Sequence, residues 1–285
     1  MDSLTKVKFS NLDKILYPDL AIKKRQVIEY YIKVAPLMLD YLKDRPIVTT
    51  RFPNGITKDG FYEKDAPKGT PLWVDLYKKY SKSTKRNLNY IICNNLDTLL
   101  WLANLAALEI HIPLSMKDSY ENPDLILFDI DPEPPANIND AVEVANLLKK
   151  TLDNMSLKSY PKTSGKKGLH VIVPIKPGPS YAQTREFVHL IGKHLAKKNQ
   201  IIVPEFSQSK EPGKVHVDYR QNSAGQTMIC PYSLRAEKEA PVSTPMSWGQ
   251  IQKELKPKEF NIFSIIQQKI NPWKEFWNQN QKLDV

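Results

Sequence analysis

The chain has 285 residues, 41% of them hydrophobic, and its 41 lysines and arginines against 31 aspartates and glutamates leave a net charge of +10. That is ample apolar material for a core, and at roughly 150 residues per domain it makes one large or two small domains. Cys93 and Cys230 stand alone, which excludes a disulfide scaffold and structural zinc. The longest apolar stretch, 96–110, holds Asp97 and Glu109 and falls short of a bilayer span.

The first ten residues carry three charges and no apolar secretory stretch, so an intracellular, cytoplasmic protein is expected, with no membrane partner. From Lys23 to Asp40, Val27, Ile28, Tyr31, Val34, Leu37 and Met38 recur at three- and four-residue steps, predicting an amphipathic helix. Pro46 to Arg51 reads as a strand. Lys78, Lys79, Lys82, Lys85 and Arg86 follow in a run with no acid, which suits a polyanionic partner better than an ordinary solvated face. Leu96 to Ile110 reads as a buried helix. Further helices are expected over 139–154, with Asn139 as N-cap, and from Ser180 to Lys198, opened by the capping-box pattern Ser180-Tyr-Ala-Gln183. Strand-like runs lie at 125–130, 169–175, 215–219 and 226–230. Mixed helices with a largely antiparallel sheet follow, and the 22 prolines stiffen the connections.

The chemistry concentrates in the second half. In Leu125-Ile-Leu-Phe-Asp-Ile-Asp131, strand alternation puts Leu127, Asp129 and Asp131 on one face and Ile126, Phe128 and Ile130 on the other. Val215-His-Val-Asp218 likewise separates Val215 and Val217 from His216 and Asp218. If the two strands are neighbours, three carboxylates converge. Two such charges about 4 Å apart repel by roughly 1 kcal/mol in water and roughly 4 at an effective dielectric near 20. A divalent cation turns that cost into affinity, and oxygen-only ligands suit Mg²⁺ or Mn²⁺ together with substrate phosphates. An apolar run ending in Asp-x-Asp also opens dehalogenase-type phosphatases, but Pro132 and Glu133 depart from that pattern.

Between the acids, Lys162-Thr-Ser-Gly-Lys-Lys-Gly-Leu-His170 has the makings of a phosphate-cradling turn. Ser164, Gly165, Lys166, Lys167 and Gly168 lead into a strand that begins with His170. Downstream, 218–230 reads as a hairpin that would return Arg235 to the level of Asp218, where a guanidinium could clamp a phosphate or pair with an acid.

The ordered set Asp129-x-Asp131-Pro, Thr163-Ser-Gly-x-x-Gly-Leu-His170, Val217-Asp218-Tyr-x-Gln-Asn222, Tyr232-Ser-x-Arg235 and Ala240-Pro-Val-Ser-Thr-Pro245-x-x-Trp248 resembles the polymerase domain of bacterial ligase D. The likeness extends from Asp13-Lys-Ile-Leu-Tyr-Pro18 to Ile270-Asn-Pro-Trp273. It implies an α+β archaeo-eukaryotic primase-like core spanning 1–285. Residues to about 115 would carry the DNA and 5′-phosphate elements, and 116–285 the catalytic ones. It implies a template-directed, metal-dependent nucleotidyltransferase of double-strand break repair, preferring ribonucleotides and served by two Mn²⁺ or Mg²⁺ ions. DNA ends and 5′-phosphorylated gaps, nucleoside triphosphates, Ku and a DNA ligase are the implied partners. Asp129, Asp131 and Asp218 match the metal-binding and catalytic aspartates. His111, Ser164, Gly165, Lys166, His170, Arg235 and Lys64 fall at the nucleotide site, Lys14 and Lys24 at a downstream 5′-phosphate, and Phe61 and Tyr62 at the template-stacking position. Glu63 and Arg220 depart, standing where neutral residues are expected. A non-catalytic DNA-end-bridging protein and a primer-independent primase are the alternatives.

Overall fold

The computed structural model describes residues 5–81, 84–204, 211–268 and 271–283. Lys82 of the basic run and Ile270 of the closing motif lie outside them. The chain divides into two compact units, one made of Met1–Asp118, Ile229–Ser243 and Lys258–Gln268, the other of Ser119–Met228, Thr244–Pro257 and Lys269–Val285. Among the described residues no helix is long and apolar enough to cross a membrane.

The first unit begins with the short pair β1 (Ile15–Tyr17) and β2 (Ile22–Lys23), followed by α1 (Lys24–Leu42). The expected stripe of α1 is buried through Val27, Ile28, Tyr31, Val34 and Met38, joined by Tyr30, Ala35, Tyr41 and Leu42. Strand β3 (Pro46–Arg51) occupies the predicted span and is flanked by β4 (Phe61–Glu63), β6 (Arg86–Ile92) and, beyond α2 (Leu96–Asn104), β7 (Ala107–Pro113); β5 (Asp75–Ser81) pairs with β6. The basic run therefore lies on a two-stranded hairpin.

The stretch 96–110 is not one helix. Asn95 caps α2 by accepting the Thr98 N–H at 2.9 Å, the helix stops at Asn104, Ala106 turns the chain with a φ of 56°, and β7 starts at the next residue. An unbroken apolar run has no period that could separate buried helix from buried strand. Returning to this unit after Ile229, the chain is tied to its core by tyrosines. Tyr30 donates to the Tyr232 carbonyl at 2.7 Å, Tyr31 to Leu108 at 2.9 Å, and Tyr17 to Arg235 at 2.9 Å.

The second unit is built on a five-stranded sheet. Its strands are β8 (Leu125–Pro132), β9 (Tyr160–Thr163), β10 (Leu169–Pro174), β11 (Ile202–Val203) and β12 (Val215–Asp218), in the order β11-β12-β8-β10-β9. All neighbours are antiparallel except β11 and β12. Helices α3 (Ile138–Asn154) and α4 (Tyr181–Lys198) complete it, with Phe128 of β8 meeting Phe187 of α4 edge-on at 6.3 Å.

Ser180 and Gln183 form the expected capping box on α4. The N-cap of α3 is Asn137 rather than Asn139. Asn137 accepts the Asn139 N–H at 2.9 Å while Asp140 accepts the Asn137 N–H at 2.7 Å, and the Asn139 side chain serves the Glu254 N–H instead.

The expected 218–230 hairpin does not form. After Asp218 the chain enters a 3₁₀ turn, Tyr219–Gln221, and the strand Thr227–Ile229 belongs to a different sheet from β12. The buried Asn222 accounts for this. Its carboxamide accepts the Leu127 N–H at 2.9 Å and donates to the Leu127 carbonyl at 2.7 Å, so a side chain takes over the hydrogen bonding of β8 where β12 ends.

Candidate active site

Strand register brings the acids together. Asp218 of β12 stands opposite Asp129 of β8, and His170 of β10 stands opposite Asp129 from the other side. Directly opposed residues share a face, so Asp218, Asp129 and His170 form one row across three strands. Asp131 follows two residues along the same face, opposed by His216. The three carboxylate side chains are about equally part-buried, at 25%, 25% and 24% exposure for Asp129, Asp218 and Asp131.

Each carboxylate has a nitrogen-bearing neighbour, a lysine or arginine for two of them and a histidine for the third. His170 Nε2 lies 3.3 Å from Asp129 Oδ1, Lys167 Nζ 3.6 Å from Asp131 Oδ1, and Arg220 Nη2 3.0 Å from Asp218 Oδ2. Lys167 also reaches Glu133 at 2.9 Å. Burial works against its charge, but Glu133 and Asp131 outweigh that and raise its pKa above the ordinary lysine value. Among the described residues no group of three His, Cys, Asp or Glu is drawn together as an ion cage. The donor set still fits hard divalent ions, being three carboxylates on one partly buried face.

The turn between β9 and β10 closes on itself. Gly165 takes a left-handed φ of 75°, Ser164 N–H donates to Gly168 O at 3.0 Å, and Ser164 Oγ accepts the N–H groups of Lys166 and Gly168 at 3.3 and 3.2 Å. Two amide hydrogens thus converge on one oxygen, the arrangement an anionic oxygen would need. Gly168 is there for space: a Cβ would lie 2.4 Å from the Ile130 carbonyl, the peptide link between Asp129 and Asp131. Gly168→Ala should therefore cost about 1–3 kcal/mol of stability by shifting β8, a loss that thermal melting checks.

The first unit gathers a second set. Glu109 and His111 share a face of β7, with His111 Nε2 3.3 Å from Glu109 Oε2 and Arg235 Nε 3.2 Å from Glu109 Oε1. Burial pushes the Glu109 carboxyl up, but the His111 hydrogen bond, the Arg235 charge and the Ala236 N–H outweigh it and hold the pKa at about 2. Arg235 is thus paired with an acid of its own unit. Tyr62 meets His111 edge-on at 5.9 Å and lies under Lys64 Nζ at 5.7 Å, while Phe61 carries the Arg51 guanidinium at 5.0 Å. Phe61 and Tyr62 are 43% and 51% exposed and belong to the surface rather than the core. Glu63, the unexpected acid, is explained by its ion pair with Arg51 at 3.0 Å.

Lys14 and Lys24 are adjacent, since Lys24 N–H donates to the Lys14 carbonyl at 2.8 Å. Lys24 Nζ donates to Asn104 O at 2.8 Å and Lys14 Nζ to Asn54 Oδ1 at 2.9 Å; burial and then the Lys14 charge lower the Lys24 pKa. Lys23 instead pairs with Asp13 at 3.2 Å.

Three residues in these clusters carry more than the sequence reading gave them. Lys162 stands opposite His170 and extends the Asp218–Asp129–His170 row to a fourth strand, fully buried rather than displayed beside the turn. Lys167 of that turn reaches Asp131. Glu109 was legible by its two-residue spacing from His111, a strand period.

The LigD primase-polymerase domain model matches residues 23–277. The Bacillus subtilis bifunctional non-homologous end joining protein LigD is 34% identical over 263 residues, covering 92% of this chain and 42% of that protein. The multifunctional LigD of Mycolicibacterium smegmatis is 31% identical over 265 residues, covering 92% of this chain and 34% of that one. The chain therefore spans less than half the length of these curated relatives. A solved structure, the polymerase domain of Mycobacterium tuberculosis ligase D in complex with DNA, superposes with a TM-score of 0.85 at 29% identity, covering 92% of this chain and 93% of that one. Matched by that family model over most of its length and by relatives more than 30% identical, this chain belongs to the LigD primase-polymerase domain family.

Proposed function

We propose that this chain adds nucleotides to a primer on a DNA template, filling short gaps and extending ends in double-strand break repair by end joining, with ribonucleotides preferred. The observation that carries this reading is the register that sets Asp218 against Asp129, with Asp131 on the same face. Family membership supports nucleotide transfer, the relatives' names support end joining, and the neighbour's DNA complex supports the substrate.

Asp129, Asp131 and Asp218 would hold Mn²⁺ or Mg²⁺, two ions being expected. Bound there, the metal would offset phosphate charge and favour ionisation of the primer 3′-hydroxyl. In the transfer the 3′-oxygen bonds to the α-phosphorus as the bond to the β-phosphate bridge oxygen breaks, and pyrophosphate leaves. His170 and Lys167 adjoin the acidic row and would supply donors and positive charge for that leaving group, and the Lys166 and Gly168 amides that meet on Ser164 Oγ would join them on turning to a phosphate oxygen. His111, Lys64 and Arg235 are assigned to nucleotide binding and Phe61 and Tyr62 to template stacking, as exposed aromatics suit. Ku and a DNA ligase are the expected partners.

The test offers the purified chain Mn²⁺, a labelled primer bordering a one- or two-nucleotide gap with a downstream 5′-phosphate, and ribo- or deoxynucleotides separately. Extension favouring ribonucleotides supports the reading. Gap binding without extension favours end bridging, and synthesis without a primer favours a primase. In the same substrate, Lys14→Ala or Lys24→Ala should weaken binding only when the 5′-phosphate is present and reduce the salt slope by about 1. Equal affinity for phosphorylated and unphosphorylated gaps would remove that assignment.

A further inference from the structure

The turn after Asp218 places a fixed positive charge on one of the three carboxylates. Arg220 Nε lies 3.2 Å from Asp218 Oδ1 and Nη2 3.0 Å from Oδ2, a two-pronged pair between residues two apart in the chain. The Arg220 backbone N–H donates to the same Oδ1 at 2.9 Å, so the orientation of Asp218 does not depend on the guanidinium. Neighbouring side chains hold the turn independently. Tyr219 stacks on His189 of α4 at 4.4 Å and 27°, and Asn222 is clamped to Leu127. The Arg220 side chain is 44% exposed and Asp218 25%, so solvent ions reach the pair.

A two-pronged guanidinium engages the oxygens that a hard divalent cation would take. Resting on the metal-site reading of Asp129, Asp131 and Asp218, we propose that Arg220 is a resident counter-charge on Asp218 that a divalent ion displaces, so that this side chain sets the metal concentration at which the site fills. Arginine suits the part because it stays charged at every physiological pH and matches a carboxylate edge to edge. The arrangement keeps Asp218 electrostatically satisfied before the metal arrives and makes metal binding a competition between two cations for one carboxylate. It also gives a physical role to the residue at which this chain departs from the motif.

The experiment titrates the full chain with Mn²⁺ in the absence of nucleotide and DNA, reading free Mn²⁺ by electron paramagnetic resonance. The chain is compared with Arg220→Gln, Arg220→Lys and Asp218→Asn. Arg220→Gln keeps the backbone bond to Asp218 and should bind Mn²⁺ roughly three- to tenfold more tightly, by loss of an ion pair and of like-charge repulsion. Arg220→Lys, a point charge without the fork, should fall between, and added salt should narrow the differences. Unchanged or weaker Mn²⁺ binding by Arg220→Gln, with native circular dichroism, would overturn the proposal. If Asp218→Asn binds Mn²⁺ as tightly as the unsubstituted chain, the metal-site reading itself is wrong and the competition falls with it.

Discussion

Asp129→Asn should abolish nucleotide addition, lowering it on the order of 10³-fold, while DNA binding and thermal stability stay nearly unchanged. Asp129 is the centre of the row, opposed by Asp218 on one side and His170 on the other. The amide keeps the shape and can still meet His170, but it contributes no charge to a cation. Partners that merely orient a metal ligand cost about 10–100-fold when lost, and on the proposed metal-site reading removing Asp129 from the middle of the set should cost more. Contacts to a polyanion do not weaken when a carboxylate is removed. Primer extension and gap binding measured on the same preparation decide it: parallel loss of activity, binding and melting temperature would show that Asp129 is a structural residue.

Glu109→Ala should destabilise the first unit by about 2–4 kcal/mol, because it strands a largely covered arginine. Arg235 and Glu109 side chains are 14% and 10% exposed, so water compensates little for the lost partner. The same carboxyl makes stability depend on acid. Its pKa is depressed from 4.5 to about 2, worth about 3 kcal/mol. A depressed carboxyl stabilises the fold above its unfolded value, so the contribution is complete above about pH 4.5 and fades as the pH falls towards 2. Urea unfolding at pH 7 and pH 3 should show this loss in the unsubstituted chain and a flatter profile in Glu109→Gln. Identical slopes in the two proteins would assign the acid sensitivity elsewhere.

What was legible in the sequence was local. The two-residue spacing of Asp129 and Asp131 placed both on one strand face, Ser180 and Gln183 announced a helix start, and the stripe of α1 showed its buried side. What failed depended on partners far along the chain. The stretch 96–110 carried no period to mark the turn at Ala106. The glycine-bearing turn at 223–225 resembled a hairpin, but the binding of Asn222 to Leu127, 95 positions away, sent the flanking strands to different sheets. Nothing local reveals that Lys162 is fully buried, since its place opposite His170 comes from the pairing of β9 with β10. Glu63 and Arg220 stood out as departures, and their partners, Arg51 and Asp218, were visible only once side chains had positions.

The Asn222 clamp also makes a frame error of the acidic strand expensive. Sliding β8 by a single residue would turn Asp129 and Asp131 to the side where Phe128 now meets Phe187, and would put apolar side chains where the carboxylates stand. Backbone ladders alone resist such slippage weakly, since the next peptide group offers the same donors and acceptors. A carboxamide locked onto both polar groups of Leu127 adds a stop at one position only. The spacing of the three acids is thus indexed from a residue that carries no charge, so their alignment does not rest on the cations beside them.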